Sequence, residues 1–448
     1  MVHKENAVAA LILVWLLVFF PATAKAREWF VAPDGTGDGT KAAPLGAVQA
    51  ALLAARPGDS VLLGAGTYRE SIRTIRNGWA GAPITLRAED ARRPVVLTTA
   101  GTVVQIDHSF IVMENVIVDA AYARRTAVNV SDRVSSIVLR RVEVRRSGRD
   151  CVDIGAAVNV LIEDSLIHHC LNAAGGRTDA HGVVAGAVRG LTIRGTEIHS
   201  FSGDAIQLNR TGTDVAAGWD DVLIERCRLW LAPLAQAENG FPAGTVTGEN
   251  ALDTKVAARS PRAKITIRDT EAWGFGGGLI RVQAAFNLKE NIDATVERVT
   301  VWDSAIAFRV RGSSSDQEGA WVRIQNAVLH DVDVGIRYED DLERFRVWNT
   351  TFGSGIKRAF VDATSTRVTL DVRNVAFLGS HRPSEAAGAS NLAAGANAFV
   401  NAAAHDYRPT ATSPVVDAGT TIGEVATDRE GKSRPQGRAF DVGAYELR

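Results

Sequence analysis

Cysteine is nearly absent: Cys151, Cys170 and Cys227 are the three in 448 residues. An odd number with no metal-ligand spacing excludes a disulfide framework and a thiolate metal site. Three buried free thiols are the expectation, with one bridged pair as the alternative left open. Lysine is almost as scarce, because residue 26 is followed by only six, Lys41, Lys255, Lys264, Lys289, Lys357 and Lys432, in an otherwise arginine-rich chain. Net charge is also lacking: at −1 it creates no field that would gather nucleic acid or an anionic membrane, so any charge specificity is local. Beyond residues 8–20 no apolar run approaches the roughly 20 residues of a membrane span.

The first 26 residues carry His3 and Lys4, the apolar run and then Ala24-Lys25-Ala26, a small-x-small site. This pattern predicts a cleavable signal peptide over 1–26, a mature chain from about Arg27, and a secreted or periplasmic location.

What the chain has in quantity is repetition. The triplets Ile84-Thr85-Leu86, Ile111-Val112-Met113, Ile137-Val138-Leu139, Val160-Leu161-Ile162, Leu191-Thr192-Ile193, Val222-Leu223-Ile224 and Ile265-Thr266-Ile267 recur at steps of 27, 26, 23, 31, 31 and 43 residues, the last marking an insertion. Short β-rich runs at such a period, separated by turns and with few helical stretches, predict an all-β solenoid of stacked coils. A second register supports it. His168, His199, Trp230, Trp273, Trp302 and His330 each stand six residues beyond the matching strand position and would stack as one column. A structural ladder is the preferred reading over a binding platform.

A third register carries chemistry. Asp253, Arg281, Arg309 and Arg337 are 28 residues apart, as are Asp153, His181 and Asn209. Stacking of equal steps predicts an outward wall that is acidic and imidazole-bearing on one side and arginine-rich on the other, with residues 231–248 as a loop beside it. At its centre lies the stretch 249–256. Alternation along a strand puts Asp253 and Lys255 on one face and Leu252, Thr254 and Val256 on the other. A solvated ion pair is the plain alternative. Gln207 and Asn209 should point outward beside buried Ile206 and Leu208, as hydrogen-bond donors and acceptors for a polar ligand. Trp219, Trp230 and Phe241 flank the loop as candidate stacking surfaces for a flat ligand face.

Several stretches resemble a known family. Residues 29–68, a strand, the glycine-rich Asp34-Gly35-Thr36-Gly37-Asp38-Gly39 turn and a helical segment over 44–55, resemble the N-terminal cap of secreted right-handed parallel β-helix proteins. The end of the chain, with Asp406-Tyr407-Arg408-Pro409, Ser413-Pro414 and Asp441-Val442-Gly443-Ala444-Tyr445-Glu446, resembles their closing segment. With the coils between, the mature chain resembles the β-helix proteins that include polysaccharide lyases of families 6 and 9, the pectate lyase, alginate lyase and chondroitinase B type. The resemblance implies a signal peptide (1–26), a single-stranded right-handed parallel β-helix with a short capping helix (27–400, cap 27–80) and an irregular closing segment (401–448). It implies β-elimination on a uronate polymer: a base removes the C5 proton while the carboxylate charge is neutralised by calcium or by a preset arginine.

Lys255 is then the base, since a lysine serves when neighbouring cations or desolvation lower its pKa. Arg281 neutralises the carboxylate or assists the leaving oxygen. Glu249, Asp253, Lys255 and Arg281 resemble the family 6 arrangement, although Asn250 stands where a second glutamate is usual. Asp153, Asp179 and Asp204 resemble the aspartates of family 9, which makes calcium the implied ion. Asp179-Ala180-His181-Gly182 is similar to the Asp-Pro-His motif of mannuronan C5-epimerases without its proline, so His181 is a second acid/base. Arg309 and Arg337 would extend the site for further uronates. The implied partner is an acidic polysaccharide, with no nucleic acid and no membrane span, and the chain is expected to be a monomer. A C5-epimerase, a glycoside hydrolase using two carboxylates and a non-catalytic glycan-binding β-helix are the alternatives on this fold.

Overall fold

The structure is a computed structural model that describes residues 26–173, 179–209, 218–256, 260–312, 319–366 and 368–447. The expected signal peptide lies outside the described residues, apart from Ala26. No helix among the described residues is long and apolar enough to cross a membrane.

Three parallel sheets of 13, 11 and 13 strands run the length of the molecule, and consecutive strands of the chain fall on different sheets. One circuit reads Ser135–Arg140, Glu143–Ser147 and Val152–Ile154 before Val158–Glu163 returns to the first sheet. The recurring triplets are the rungs of that sheet: Leu86, Met113, Leu139, Ile162, Ile193, Ile224, Ile267, Val296 and Ile324 pair in unbroken register and are all buried. Because side chains alternate, Ile137 and Leu139 fill the lumen while Val138 and Arg140 face out. This is the right-handed parallel β-helix solenoid expected from the repeats.

From the strand Ile111–Glu114 onward, each circuit turns from the first sheet to the next through one residue of left-handed backbone. These corners are Asn115, Arg141, Asp164, Gly195, Arg226, Asp269, Arg298, Asn326, Asn349 and Asn374, with φ between 45° and 56°. Glycine, asparagine and aspartate reach that region at least cost, which accounts for most of the column.

The ends differ from the middle. The helix Val48–Ala54 buries Val48, Ala51 and Leu52 against the first coil, and the Glu70 carboxylate accepts from the Val48 and Gln49 amides at 2.7 and 3.0 Å. An acid there satisfies the orphan donors of a helix start. At the far end residues 401–447 lie over the last three corners. Asn326 Nδ2 donates to the Thr427 carbonyl (2.9 Å) and Asn349 Nδ2 to that of Asp441 (3.3 Å). Asn374 both donates to the Thr420 carbonyl and accepts from its amide, at 2.7 and 2.8 Å. Asparagine serves twice at these positions, tolerating the left-handed turn and bonding the segment above.

The aromatic column forms as expected. Successive ring centroids from His168 through His199, Trp230, Trp273 and Trp302 to His330 are 4.2–5.8 Å apart and within 16° of parallel. Burial and the neighbouring imidazoles pull His199 down to about 3, so its ring stacks uncharged.

The cysteines correct the expectation of three free thiols. Cys151, just before the strand Val152–Ile154, is bonded to Cys170 at the end of Leu166–Cys170, and Cys227 alone is a buried thiol. Both bonded residues project into the same lumen, a proximity that a separation of 19 residues does not disclose without the path of the coil. Burial pushes the Cys227 thiol up to about 12, which makes it unreactive.

Replacing the corner and clamp together tests this account of the closing segment. Asn374→Ala is expected to cost about 2–4 kcal/mol, from the left-handed backbone and the unsatisfied Thr420 groups. Hydrogen exchange should quicken in residues 401–447 and remain unchanged in the coils before residue 300.

Candidate active-site cleft

The 11-stranded sheet carries the chemistry. Its strands are mostly three residues long, with flanking side chains inward and the middle one outward. In register, the outward column reads Gln105, Asn129, Asp153, Val184, Gln207, Asp253, Asn287, Arg309 and Arg337.

This corrects two of the equal-step series. Asp253 pairs with Asn287, and Asn287 with Arg309, so steps of 34 and 22 residues replace two of 28. Arg309 and Arg337 keep their predicted places, whereas Arg281 stands exposed on the loop between Glu271–Trp273 and Phe286–Lys289. Gln283 ties that loop back, its Oε1 accepting from Gly278 N (2.8 Å) and its Nε2 donating to the Gly248 carbonyl (3.2 Å). Similarly, His181 precedes its strand and Asn209 follows Ile206–Leu208, so neither stacks on Asp153.

His181 nevertheless belongs to the site, by a different route. Just before each of four successive strands a polar side chain satisfies the backbone of the next coil. Asp150 Oδ1 accepts from His181 N (3.0 Å), His181 Nδ1 from Asp204 N (2.8 Å), Asp204 Oδ1 from Asn250 N (3.1 Å) and Asn250 Oδ1 from Ala284 N (3.2 Å). Accepting at Nδ1 assigns the neutral tautomer with its proton on Nε2, the ring nitrogen left for a ligand. Asp204 is saturated by Asn250 Nδ2 at 2.8 Å and Gln207 Nε2 at 2.9 Å.

A cleft of about 870 Å³ opens over these coils, lined by Asn129, Asp132, Arg149, Asp150, Asp153, Asp179, His181, Gln207 and Asn209 among others. Five predicted site residues thus meet in one cavity. On the coil beyond Gln207 the face-sharing of Asp253 and Lys255 holds, with Leu252 and Thr254 buried behind them. Asp253 is nearly enclosed: Lys289 Nζ lies 2.9 Å and Lys255 Nζ 3.6 Å from its oxygens, and Asn287 Nδ2 donates at 2.8 Å. Lys255 is the more open lysine, at 29% against 12% side-chain exposure. Its carbonyl is held by Trp219 Nε1 at 2.9 Å.

Trp219 is therefore a buried brace, Trp230 a rung of the ladder, and Phe241 is packed with Leu171 and Leu234 where residues 231–248 dock beside the cleft. None of the three presents a ring face to a sugar as expected. Arg309 makes a two-pronged pair with Glu339 at 2.8 and 3.1 Å, and Arg337 bonds the same carboxylate at 2.8 Å. Sequence reasoning missed Lys289, Asp150, Asn287 and the cleft arginine Arg149. The rarity of lysine was the available signal for Lys289; the others needed the register.

Two carboxyls lie above the usual range. Burial, and then the charge of Asp204, raise Asp253 against the pull of Lys289 and Lys255. Burial and Asp150 push Asp153 up to about 6 against Arg149 and His181. The implied calcium set does not fit this arrangement. Asp204 and Asp253 are engaged by protein donors, and among the described residues no three of Glu249, Asp253, Asp153, Asp179 and Asp204 bring ligand oxygens within 4.8 Å of one another. Calcium takes six to eight oxygens on one point.

No protein-family model matches the chain, and no curated protein matches it in sequence. Solved structures do resemble it. The pectate lyase Pel9A is 16% identical, with a TM-score of 0.54 over 95% of this chain and 97% of its own. A rhamnogalacturonan lyase is 14% identical, at 0.54 over 78% and 87%. The A-module of the Azotobacter vinelandii mannuronan C-5 epimerase AlgE6 is 13% identical, at 0.52 over 78% and 98%. At such identities the likeness establishes a fold, the right-handed parallel β-helix of the polysaccharide-lyase type, and leaves the chemistry to the residues.

The raised carboxyl in the cleft has a measurable consequence. Between the unfolded value of about 3.9 and the folded value of about 6, folded Asp153 binds more protons than the unfolded chain, so stability falls as pH rises through that window. Asp153→Asn is expected to flatten this part of the stability profile and to raise stability at pH 7 by about 2 kcal/mol, read from denaturation at pH 4, 5, 6 and 7.

Proposed function

We propose that the chain is a polysaccharide lyase that cleaves a uronate-containing polymer by β-elimination in the cleft. The observation that carries this reading is the convergence of Lys255 and Lys289 on nearly enclosed Asp253, one coil beyond the His181, Gln207 and Asp153 wall. Lys289 and Asp253 hold each other and set the position of Lys255, whose more exposed amine, when neutral, takes the C5 proton. Arg149, on the cleft lining and more than half exposed, supplies the cation for the substrate carboxylate. This is the part the sequence assigned to Arg281. His181, through Nε2, and Asn209 contact sugar oxygens or the departing O4, and Gln207 is oriented for the same wall by Asp204. Arg309 and Arg337, three and four coils beyond Gln207, extend the cationic surface for further uronates. An acidic polymer is the partner, and action outside the cytoplasm accords with it.

Incubation with pectate, alginate and glycosaminoglycans, with and without calcium, should release products whose new C4–C5 double bond, conjugated to the carboxylate, absorbs in the ultraviolet. Lys255→Ala should lower that rate by ~10²–10⁴-fold with little change in KM, and Arg149→Ala should mainly raise KM. Reducing ends without absorbance would replace the reading with hydrolysis. Isomerised uronate without chain cleavage would replace it with epimerisation. Polymer binding unchanged by Lys255→Ala, with no product, would leave a glycan-binding protein.

A further inference from the structure

The outer face of the first sheet carries a charge pattern that the proposed reaction does not use. Through six middle coils one outward column alternates in sign: Glu114, Arg140, Glu163, Arg194, Glu225 and Arg268 are lateral neighbours, and each successive pair closes at 2.5–3.5 Å. Opposite charges on adjacent strands stabilise a sheet, and like charges directly opposite destabilise it.

At the C-terminal coils this pattern breaks. Arg323 and Arg346 face each other in register across the strands Ala320–Gln325 and Leu342–Trp348, and Arg344 stands two residues before Arg346 on the same face. Among the described residues no carboxylate lies within 4.0 Å of the Arg323 or Arg344 guanidinium, and the one beside Arg346 is that of exposed Glu424, at 3.7 Å. Two further acids are engaged elsewhere: Glu343 by Arg262 and the Trp321 indole N–H at 2.7 and 2.8 Å, and Asp371 by Arg373 at 2.7 and 2.8 Å. Aromatic rings hold the guanidiniums in place. Arg344 lies 3.6 Å over one face of Trp321 and Arg262 3.8 Å over the same indole, while Arg346 and Arg373 lie 4.9 and 4.8 Å from the centroid of buried Trp348. Such stacking fixes the plane of a guanidinium and leaves its N–H edge free for an oxyanion.

We propose that Arg323, Arg344 and Arg346 form an attachment surface for an acidic polysaccharide, separate from the cleft. Three guanidiniums on a rigid sheet, one strand apart in one direction and two residues apart in the other, suit a chain that carries repeated carboxylate or sulfate groups, each able to accept paired N–H bonds. Other polyanionic partners fit less well. Guanidiniums cover Trp321 and Trp348 is buried, so no ring is offered for base stacking. The large apolar side chains that are exposed, Leu53, Trp79, Val158 and Val400, lie on other strands and turns, so nothing here would enter a bilayer. The surface belongs to a 13-stranded sheet and the cleft to the 11-stranded one, so a polymer held here leaves the cleft open. Attachment makes the next encounter with the cleft intramolecular and raises the local concentration of polymer. The identity of the polymer rests on the reaction proposed above.

The test reads binding apart from cleavage. In the Lys255→Ala chain, retardation in native gels containing pectate, alginate or a sulfated glycosaminoglycan should be seen with at least one polymer and should weaken as salt is raised; the carboxylated and sulfated arms tell which oxyanion is held. Adding Arg323→Gln, Arg344→Gln and Arg346→Gln together should weaken that binding by ~10-fold or more without lowering the melting temperature, because like charges are removed. Arg344→Glu, at the exposed position, should act in the same direction alone. In the chain with Lys255 intact, the triple variant should slow cleavage of long polymer and leave the rate on short oligosaccharides unchanged. Loss of retardation in the triple variant, with no cleavage by any chain, would sink the lyase reading and uphold the surface. Retardation absent from the Lys255→Ala chain with every polymer, unchanged by both sets of arginine substitutions, or matched by single-stranded RNA would overturn the proposal.

Discussion

Every other feature depends on the parallel register of successive coils. Leu139, Ile162, Ile193 and Ile224 pair one above another and fill the lumen, and this apolar column decides which residues are left facing out. A slip of one residue would exchange the two faces of a strand, so burial of the inner set specifies the outer one. Variation in length is confined to the turns, where single left-handed residues such as Asp164, Gly195 and Arg226 restart the next strand in phase. The wall of the cleft is consequently as ordered as the core, although its composition is quite different.

That order brings like charges close together, because parallel strands lie less than 5 Å apart. The two halves of the outward column answer this in different ways. Arg309 and Arg337 share Glu339, which they hold below the usual carboxylate range, so that one carboxylate keeps the two guanidiniums together and a single net positive charge remains. Asp253 is surrounded by two lysines and an amide. Asp153 has no such compensation and sits beside Asp150, raised to about 6. A destabilised carboxyl in a cleft is a feature of sites where stability has been given up to function. His181 illustrates the opposite economy, since one ring nitrogen braces the backbone of the next coil while the other remains for a ligand.

A solenoid must also be ended, since an uncovered last coil would expose both its lumen and a row of unpaired backbone groups. At one end a helix covers the lumen, its first amides held by Glu70. At the other, residues 401–447 attach through the corner asparagines and through the ring column, which passes from His330 to His405. The ladder of stacked rings is thus part of how the coils are joined to the closing segment.

Fold and core were legible from the sequence because they rest on periodicity, which is a one-dimensional property: the triplets, the ring column as far as His330 and the shared face of Asp253 and Lys255 all follow from alternation and repeat length. The site was legible only in part. Asp153, Asp179, His181, Gln207 and Asn209 do meet in one cleft, but Arg281 leaves the column, because two unequal circuits of 34 and 22 residues look like two of 28 until the loop held by Gln283 is seen. Lys289 at Asp253, the Cys151–Cys170 bond and His405 at the end of the ladder share that explanation. What the sequence by itself determined was the repeating strand, with its inner and outer faces. What only the tertiary structure decided was which turn residues face one another across coils, because turn length varies freely while the strands it joins remain in register.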